Sequence, residues 1–356
     1  MNYSSSKLVD RNSLYEEHQF VVENKQSIRR LDKYLMQRMA NTSRSRIQNA
    51  IKAGAIVVND EEVKPNYRVR PGDVISVLLP KPLDEACRVI PDDIPLDVVY
   101  EDEDVLVVNK PAGMVVHPGV GHYRRTLVNA LVHYFQGKAD IPIMDGNPEN
   151  RPFLVHRIDK DTSGLLVVAK NDYAMAHLGK QFFRHTIHRR YYALVWGEPD
   201  EDEGTINGHV GRDLRNRQRM AVFPEGDHGK WAVTHFRVLE RLYYVSLVEC
   251  RLETGRTHQI RVHMRHIGHP LFNDPRYGGD RIRKGTVFSK YKQFVDNCFK
   301  VLPRHALHAK ELGFEHPTTG QFMKFNSDLP DDMQACLDKW RTYVQAKRTQ
   351  IERERD

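Results

Sequence analysis

Apolar positions along the chain acquire a regular period only from residue 27 onward. Residues 1–26 are polar without a sustained repeat, which predicts a flexible N-terminal arm. Behind Ser27, a candidate cap, Ile28, Leu31 and Leu35 recur at helical spacing. A second helix should follow Thr42 and Ser43, with Ile47, Ala50 and Ile51 inward, Arg44, Arg46 and Lys52 outward, and Gly54 as its stop. Val57 to Asp60 reads as a strand entering a turn, and Arg70-Pro71-Gly72-Asp73 as a turn before a strand over Val74–Leu79. Residues 27–80 therefore predict a small module of two helices and a sheet. Residues 81–98 lack such a pattern and predict a linker; between 81 and 104, nine acids face only Lys81 and Arg88.

A second domain is expected over residues 99–332. The strand-like run Val105–Val108 meets the turn Asn109-Lys110-Pro111-Ala112-Gly113. Phe153–Val155 and Leu165–Ala169 bracket a polar loop, and Val248, Cys250 and Leu252 alternate as in a strand. A helix is predicted from Thr257 to Ile267, with His258, Arg261 and Arg265 on one face and Ile260, Met264 and Ile267 on another. That pattern points a basic row away from the core. Residues 333–356 read as a charged C-terminal helix with Trp340 and Tyr343 as anchors.

Composition narrows the function classes. With 356 residues, 40% hydrophobic and 28% charged, the chain can bury a full core, which argues against disorder over most of it. A net charge of +7 and a pI near 9.1 favour an anionic partner, nucleic acid first. The bias is concentrated: residues 29–80 hold ten Lys and Arg against five acids, and residues 276–304 hold eight against two. The second stretch reads as a mobile, RNA-gripping insertion, or else as a solvated loop. Cys87, Cys250, Cys298 and Cys336 lie far apart with no Cys-x-x-Cys pair, so free thiols in a reducing compartment are expected. No apolar run approaches the ~20 residues of a membrane span, and a cytoplasmic protein is expected.

No cofactor is implied, since neither a Gly-x-Gly-x-x-Gly turn nor a Gly-Lys-Ser/Thr phosphate loop occurs. His258, His263, His266 and His269 lack the His-Glu-x-x-His spacing, so no metal is expected either. Three segments carry the candidate chemistry. The loop His156-Arg157-Ile158-Asp159-Lys160-Asp161-Thr162-Ser163-Gly164 lies between two buried strands, where a rigid scaffold presents reactive groups. Taken alone, an aspartate there can equally serve its own turn. Leu252-x-Thr254-Gly255-Arg256-Thr257-His258-Gln259-Ile260-Arg261-Val262-His263 joins a strand to the basic helix, and Arg189-Arg190-Tyr191-Tyr192-Ala193-Leu194-Val195-Trp196-Gly197 puts aromatic and basic groups at the start of a strand.

In this order, the three segments resemble the RluA-type family of RNA pseudouridine synthases. Asn109-Lys110-Pro111, Val115 to Gly119, Arg304-His305-Ala306-Leu307-His308-Ala309 and His316-Pro317 also look like segments of that family. Residues 28–80 resemble an S4 RNA-binding domain, which points to the large-subunit synthase D subgroup. The resemblance implies an α+β fold, with an S4-like module joined to a catalytic domain on a bent, mainly antiparallel mixed sheet. It places the catalytic aspartate at Asp159, the active-site tyrosine at Tyr191 (Tyr192 being the alternative register) and the active-site arginine at Arg261. His156, Arg157, Thr162, Arg256 and His258 become candidates for binding substrate at the site, and Arg44, Arg46 and Lys52 candidates on the module. The implied partner is structured RNA, large-subunit ribosomal RNA first and transfer RNA second. Two rivals stay open at this stage: a non-catalytic RNA-binding or ribosome-assembly protein, and a metal-dependent RNA hydrolase using the histidines.

Overall fold

The computed structural model describes residues 15–24, 27–39, 42–80, 89–119, 121–136, 153–285 and 288–353. The start of the expected arm, the front of the expected linker with Cys87, and the last three residues lie outside the described residues. The N-terminal module consists of β1 (Tyr15–Val21), β2 (Arg29–Arg30), α1 (Leu31–Met36), α2 (Arg44–Lys52), β3 (Ile56–Val58), β4 (Glu61–Glu62), β5 (Arg68–Val69) and β6 (Val74–Pro80). Strands order as β1-β6-β3-β4, with β2 and β5 paired separately. Leu31, Leu35, Ile47 and Ile51 of the helices close over Ile56, Ile75 and Val77 of the sheet, all fully buried.

Three expectations for this module are corrected. The arm expected over residues 1–26 carries β1, whose seven residues pair with β6 from Tyr15 opposite Pro80 to Val21 opposite Val74. Backbone pairing along an edge needs no side-chain period, so the pattern did not announce it. The first helix begins at Leu31, and Ile28 is 63% exposed, because Arg29 and Arg30 are drawn into extended pairing with β5. Arg46 is buried rather than outward, and Arg44, though exposed, donates with Arg30 and Gln48 to the fully buried Asp32. Burial opposes the Asp32 charge, but these donors hold the carboxyl well below its ordinary range. Lys52 is exposed as expected.

The second domain starts earlier than expected. Val89 already packs into its core, and Asp92 accepts hydrogen bonds from the Arg124 side chain and the Arg125 backbone N–H. Its elements are β7 (Val98–Glu101), β8 (Val105–Lys110), α3 (Leu127–Phe135), β9 (Phe153–Leu154), β10 (Ser163–Ala169), α4 (Asp172–Phe183), β11 (His188–Trp196), β12 (Glu203–Arg212), β13 (Met220–Phe223), β14 (Lys230–Arg241), β15 (Val245–Leu252), α5 (Gln259–His266), α6 (Ser289–Val301), β16 (Leu307–Glu315), β17 (Phe322–Asn326) and α7 (Asp331–Arg353). The sheet runs β13-β12-β14-β15-β11-β16-β10-β8-β7, with β17 on β16 and β9 on β10. Among the described residues only β10 and β16 pair in parallel, so the sheet is mixed and mainly antiparallel, and the fold is α+β as expected.

Both faces of the central strands are covered, which is why β10 reads as an unbroken apolar run. Leu166 and Val168 face the α3 side; Leu165 and Val167 face α4. The same alternation splits β11, with Tyr191, Ala193 and Val195 on one side and Leu194 and Trp196 on the other. α4 also carries the N-terminal module: Ala176 joins the module's core, and Lys180 pairs with Glu62.

The basic stretch 276–304, read as a mobile grip, contains the packed helix α6. Its Tyr291, Val295 and Cys298 are buried against Cys336, Leu337 and Trp340 of α7. Trp340 is fully buried, edge-on to Phe294 and Phe272 with ring centroids 4.8 and 5.9 Å away, while Tyr343 stacks on Phe294 at 4.5 Å. The charged tail is thus part of the core. Trp340→Ala should destabilise the protein by about 3–5 kcal/mol in chemical denaturation. Trp340→Phe should cost less, since the buried indole Nε1 has no hydrogen bond to lose.

Candidate active site

The loop between β9 and β10 is held by its own carbonyls. That of Asp159 accepts from the Thr162 N–H at 3.1 Å, that of Lys160 from Lys110 Nζ at 3.0 Å, and that of Asp161 from Arg304 Nη1 at 2.9 Å. Lys110 also donates to the carbonyls of Pro111 (2.7 Å) and Met114 (2.9 Å), and burial lowers its ammonium to about 7. Arg304 is anchored in turn by both oxygens of Asp332, at 2.7 and 2.9 Å. Thr162 Oγ1 hydrogen-bonds with His305 Nε2, and Ser163 Oγ with His308 Nδ1, each at 2.9 Å. His156 stacks on Phe182, and its Nε2 accepts from the Val167 N–H at 3.0 Å, which requires a neutral ring; burial and the nearby Arg189 hold its pKa near 3. His156 and Thr162 therefore brace the loop from inside.

Asp159 itself keeps 23% of its side chain exposed. Arg261 Nη1 lies 2.8 Å from its Oδ2, and His258 Nε2 lies 3.8 Å away. The other edge of the Arg261 guanidinium is gripped by Asp274, Nε to Oδ2 at 2.7 Å and Nη2 to Oδ1 at 2.9 Å. Asp274 is fully buried and also accepts from the backbone N–H groups of Arg276 and Tyr277. Arg261 is only 6% exposed, so the expected outward basic row is corrected: of its three members, Arg265 alone is exposed. The two carboxylates hold the guanidinium in place through charge-assisted hydrogen bonds.

The electrostatics follow from this arrangement. Burial alone would raise the Asp159 carboxyl, but His258, Arg261 and His305 outweigh it and hold it at about 2. Burial keeps His258 and His305 neutral above about pH 4 and pH 3 respectively, so at neutral pH Arg261 is the cation that faces the ionised Asp159. α5 begins at Gln259, not Thr257, because His258 takes a left-handed backbone at φ 56° as its N-cap. Gln259 ties the preceding turn, accepting from Thr254 Oγ1 and the Arg256 N–H and donating to Val233 O and Thr234 Oγ1.

Tyr191 lies on the β11 face that packs into the main core, within the field of Asp159, whereas Tyr192 lies on the opposite face. Burial pushes the Tyr191 phenol up, so it is neutral at physiological pH. Arg157 is exposed beside the loop; Arg256 is half-buried, its Nε donating to Trp231 O at 3.1 Å. Arg44 and Lys52 lie on the separate N-terminal module. The histidines of the 258–269 cluster diverge: His258 Nδ1 pairs with the Tyr277 hydroxyl, His263 Nδ1 with Thr234 Oγ1 and His269 Nδ1 with Trp196 O. The sequence pattern gives no role to Lys110, Asp274, Tyr277, Arg304 and His305. Lys110, Arg304 and His305 do lie in segments that stand out along the chain, but their partners come from distant elements.

Known proteins resemble the chain over most of its length. An uncharacterised RNA pseudouridine synthase of Bacillus subtilis is 47% identical over 316 residues, covering 89% of this chain and 95% of the relative. The chain belongs to the RNA pseudouridine synthase family. The ribosomal large subunit pseudouridine synthase D of Zymomonas mobilis is 45% identical to this synthase, covering 86% of the chain and 92% of the relative. Family models match as an S4 domain over residues 29–75 and an RNA pseudouridylate synthase over 104–266. Human RNA pseudouridylate synthase domain containing 4 has the same fold, with a TM-score of 0.52 at 22% identity, covering 68% of this chain and 92% of that one. The protein is thus an isomerase that acts on RNA. Among the described residues, no helix is long and apolar enough to cross a membrane.

Arg261→Gln should move the Asp159 titration upward from about 2, because both the charge and the hydrogen bond of Arg261 that lower it are lost while burial still raises it. Carbon-13 NMR of labelled aspartate, assigned with Asp159→Asn, would read this. An unmoved midpoint would show that Arg261 is not the controlling charge.

Proposed function

We propose that this synthase converts uridines of large-subunit ribosomal RNA to pseudouridine, with Asp159 as the essential carboxylate, Arg261 holding it ionised and aimed, and Tyr191 presenting a ring to the base. The supporting observation is the 2.8 Å contact of Arg261 with the one oxygen of Asp159 that both Arg261 and His258 approach. The ribosomal target is supported by relatives that carry that name. The chain works as two domains. The N-terminal module, from Tyr15 to Pro80, adds RNA affinity through exposed basic groups such as Lys52, and Arg44 contributes from its contact with Asp32. Arg46, being buried, is left out of that surface. A cytoplasmic location fits the free thiols at Cys250, Cys298 and Cys336.

The reaction breaks the bond from ribose C1′ to uracil N1, turns the base, joins C1′ to C5, and moves the C5 proton to N1. Atoms balance without an oxidant, reductant or energy source. Asp159 serves either by attacking C1′ or by removing a ribose proton, and both routes require the ionised carboxylate that Arg261 maintains. A neutral phenol at Tyr191 supplies a flat face for the free uracil to stack on while it turns. Because Asp159 is recessed, the target nucleotide must leave its stack, at a cost of a few kcal/mol that is smallest in loops. Exposed Arg157 stands beside Asp159, in position to fill the vacated space. His258 and Arg256 line the approach, while His156 and Thr162 act through the loop they brace.

Unmodified large-subunit ribosomal RNA should gain pseudouridine with the wild-type protein and none with Asp159→Asn at similar RNA affinity, as mapped by chemical tagging. Modification confined to transfer RNA would overturn the ribosomal assignment. Pseudouridine formed by Asp159→Asn would overturn the role of the carboxylate.

A further inference from the structure

Arg189 on β11 is a buried cation with no counter-charge. It shares the strand face of Tyr191, is 7% exposed, and its Nε has no hydrogen-bond partner. The other buried arginines near the site have carboxylates: Arg261 holds two and Arg304 holds Asp332. Arg189 pairs with none among the described residues. Its guanidinium lies 5.6 Å above the Phe182 ring, and Nη1 comes so close to the turn after β15 that a Cβ at Gly255 would sit 2.9 Å from it. Gly255 is exposed, so the guanidinium is covered on that side by a residue without a side chain. Arg256 follows in the same turn, and the charge of Arg189 reaches His156 and His185, helping to keep both rings neutral.

An isolated buried guanidinium is costly, and arginine cannot escape the cost by losing its proton. Such a group returns stability only when an anion meets it, and the anion that an RNA-modifying enzyme meets is a phosphodiester. Position supports this. Two residues along a strand separate Arg189 from Tyr191 by roughly 6.6 Å, about the reach from a base to its own backbone. We infer that Arg189, flanked by Arg256 across Gly255, is the seat for a phosphodiester adjoining the target uridine, coupling backbone grip to entry of the base. This placement rests on Asp159 and Tyr191 marking where the target base sits.

The test uses the full chain carrying Asp159→Asn, so that binding is read without turnover. A substrate stem-loop is made with a single uncharged methylphosphonate at each phosphate flanking the target uridine in turn. Arg189→Met is expected to weaken binding of the unmodified stem-loop by about tenfold or more. It should also reduce the slope of log affinity against log salt by about 0.7, the value for neutralising one fewer phosphate on a single strand. One methylphosphonate should weaken the parent to a similar degree and leave the Met variant unaffected. The thermal midpoint of the free Met variant should be equal to or above that of the parent, since an unpaired buried charge is replaced by an apolar chain of similar length. A lower midpoint with unchanged salt slope, or methylphosphonate costs equal in the two proteins, would show Arg189 to be a packing residue and overturn the proposal. The outcomes separate cleanly: an error about Asp159 appears as pseudouridine made by Asp159→Asn, and an error about Arg189 appears only in these binding comparisons.

Discussion

The guanidinium of Arg261, clamped between Asp274 and Asp159, is the interaction on which the rest of the site depends. Asp274 takes two of its nitrogens and leaves one for Asp159, so the cluster carries one surplus negative charge, and Asp159 is the member that keeps some exposure to solvent. A buried ion pair is rarely a gain in stability, and its value here is orientation. The clamp reaches into the periphery through the loop after Asp274. Trp196 Nε1 donates to Gly279 O at 2.7 Å, Asn273 donates to the carbonyls of Phe299 and Leu302 at the end of α6, and Trp340 of α7 packs edge-on to Trp196. A helix at the far end of the chain thereby helps fix the position of Arg261.

Asp159 is held from the other side by the same logic applied to the backbone. Lys110 arrives from β8 and Arg304 from the segment before β16, and each takes a carbonyl of the loop. They can do so because β10 lies between β8 and β16. The parallel pairing of β10 with β16 is unusually close: Gly164 stands opposite Ala309 at φ 113°, and a Cβ there would be 2.3 Å from the Ala309 oxygen. Only glycine fits, which gives the last residue of the polar loop a packing reason. Burial holds the loop's histidines neutral, so Asp159 keeps its charge by way of Arg261 rather than through an imidazolium.

The distribution of basic groups is more selective than net charge implies. Arg46 is buried, Arg44 contacts Asp32 and Arg304 is held by Asp332, whereas Lys290, Lys292 and Lys300 stay exposed on α6. Part of the charge that looked available for RNA is spent on structure. Arg189 is the converse case, a buried cation with no carboxylate partner among the described residues.

Local pattern determined a good deal by itself. The buried strands around the polar loop, the second helix of the N-terminal module and the order of the three chemical segments were legible, because periodicity and motif spacing are properties of neighbours along the chain; Asp159, Tyr191 and Arg261 were singled out by the family resemblance of those segments. The resemblance set Tyr191 ahead of Tyr192, and packing puts Tyr191 on the face near Asp159 and Tyr192 on the other. The edge strand at Tyr15, the inward turn of Arg261 and the roles of Lys110, Asp274 and Arg304 were decided by tertiary structure. Each depends on a partner from 13 to more than 140 residues away. For a polar side chain, that partner decides whether the group faces water or stays buried.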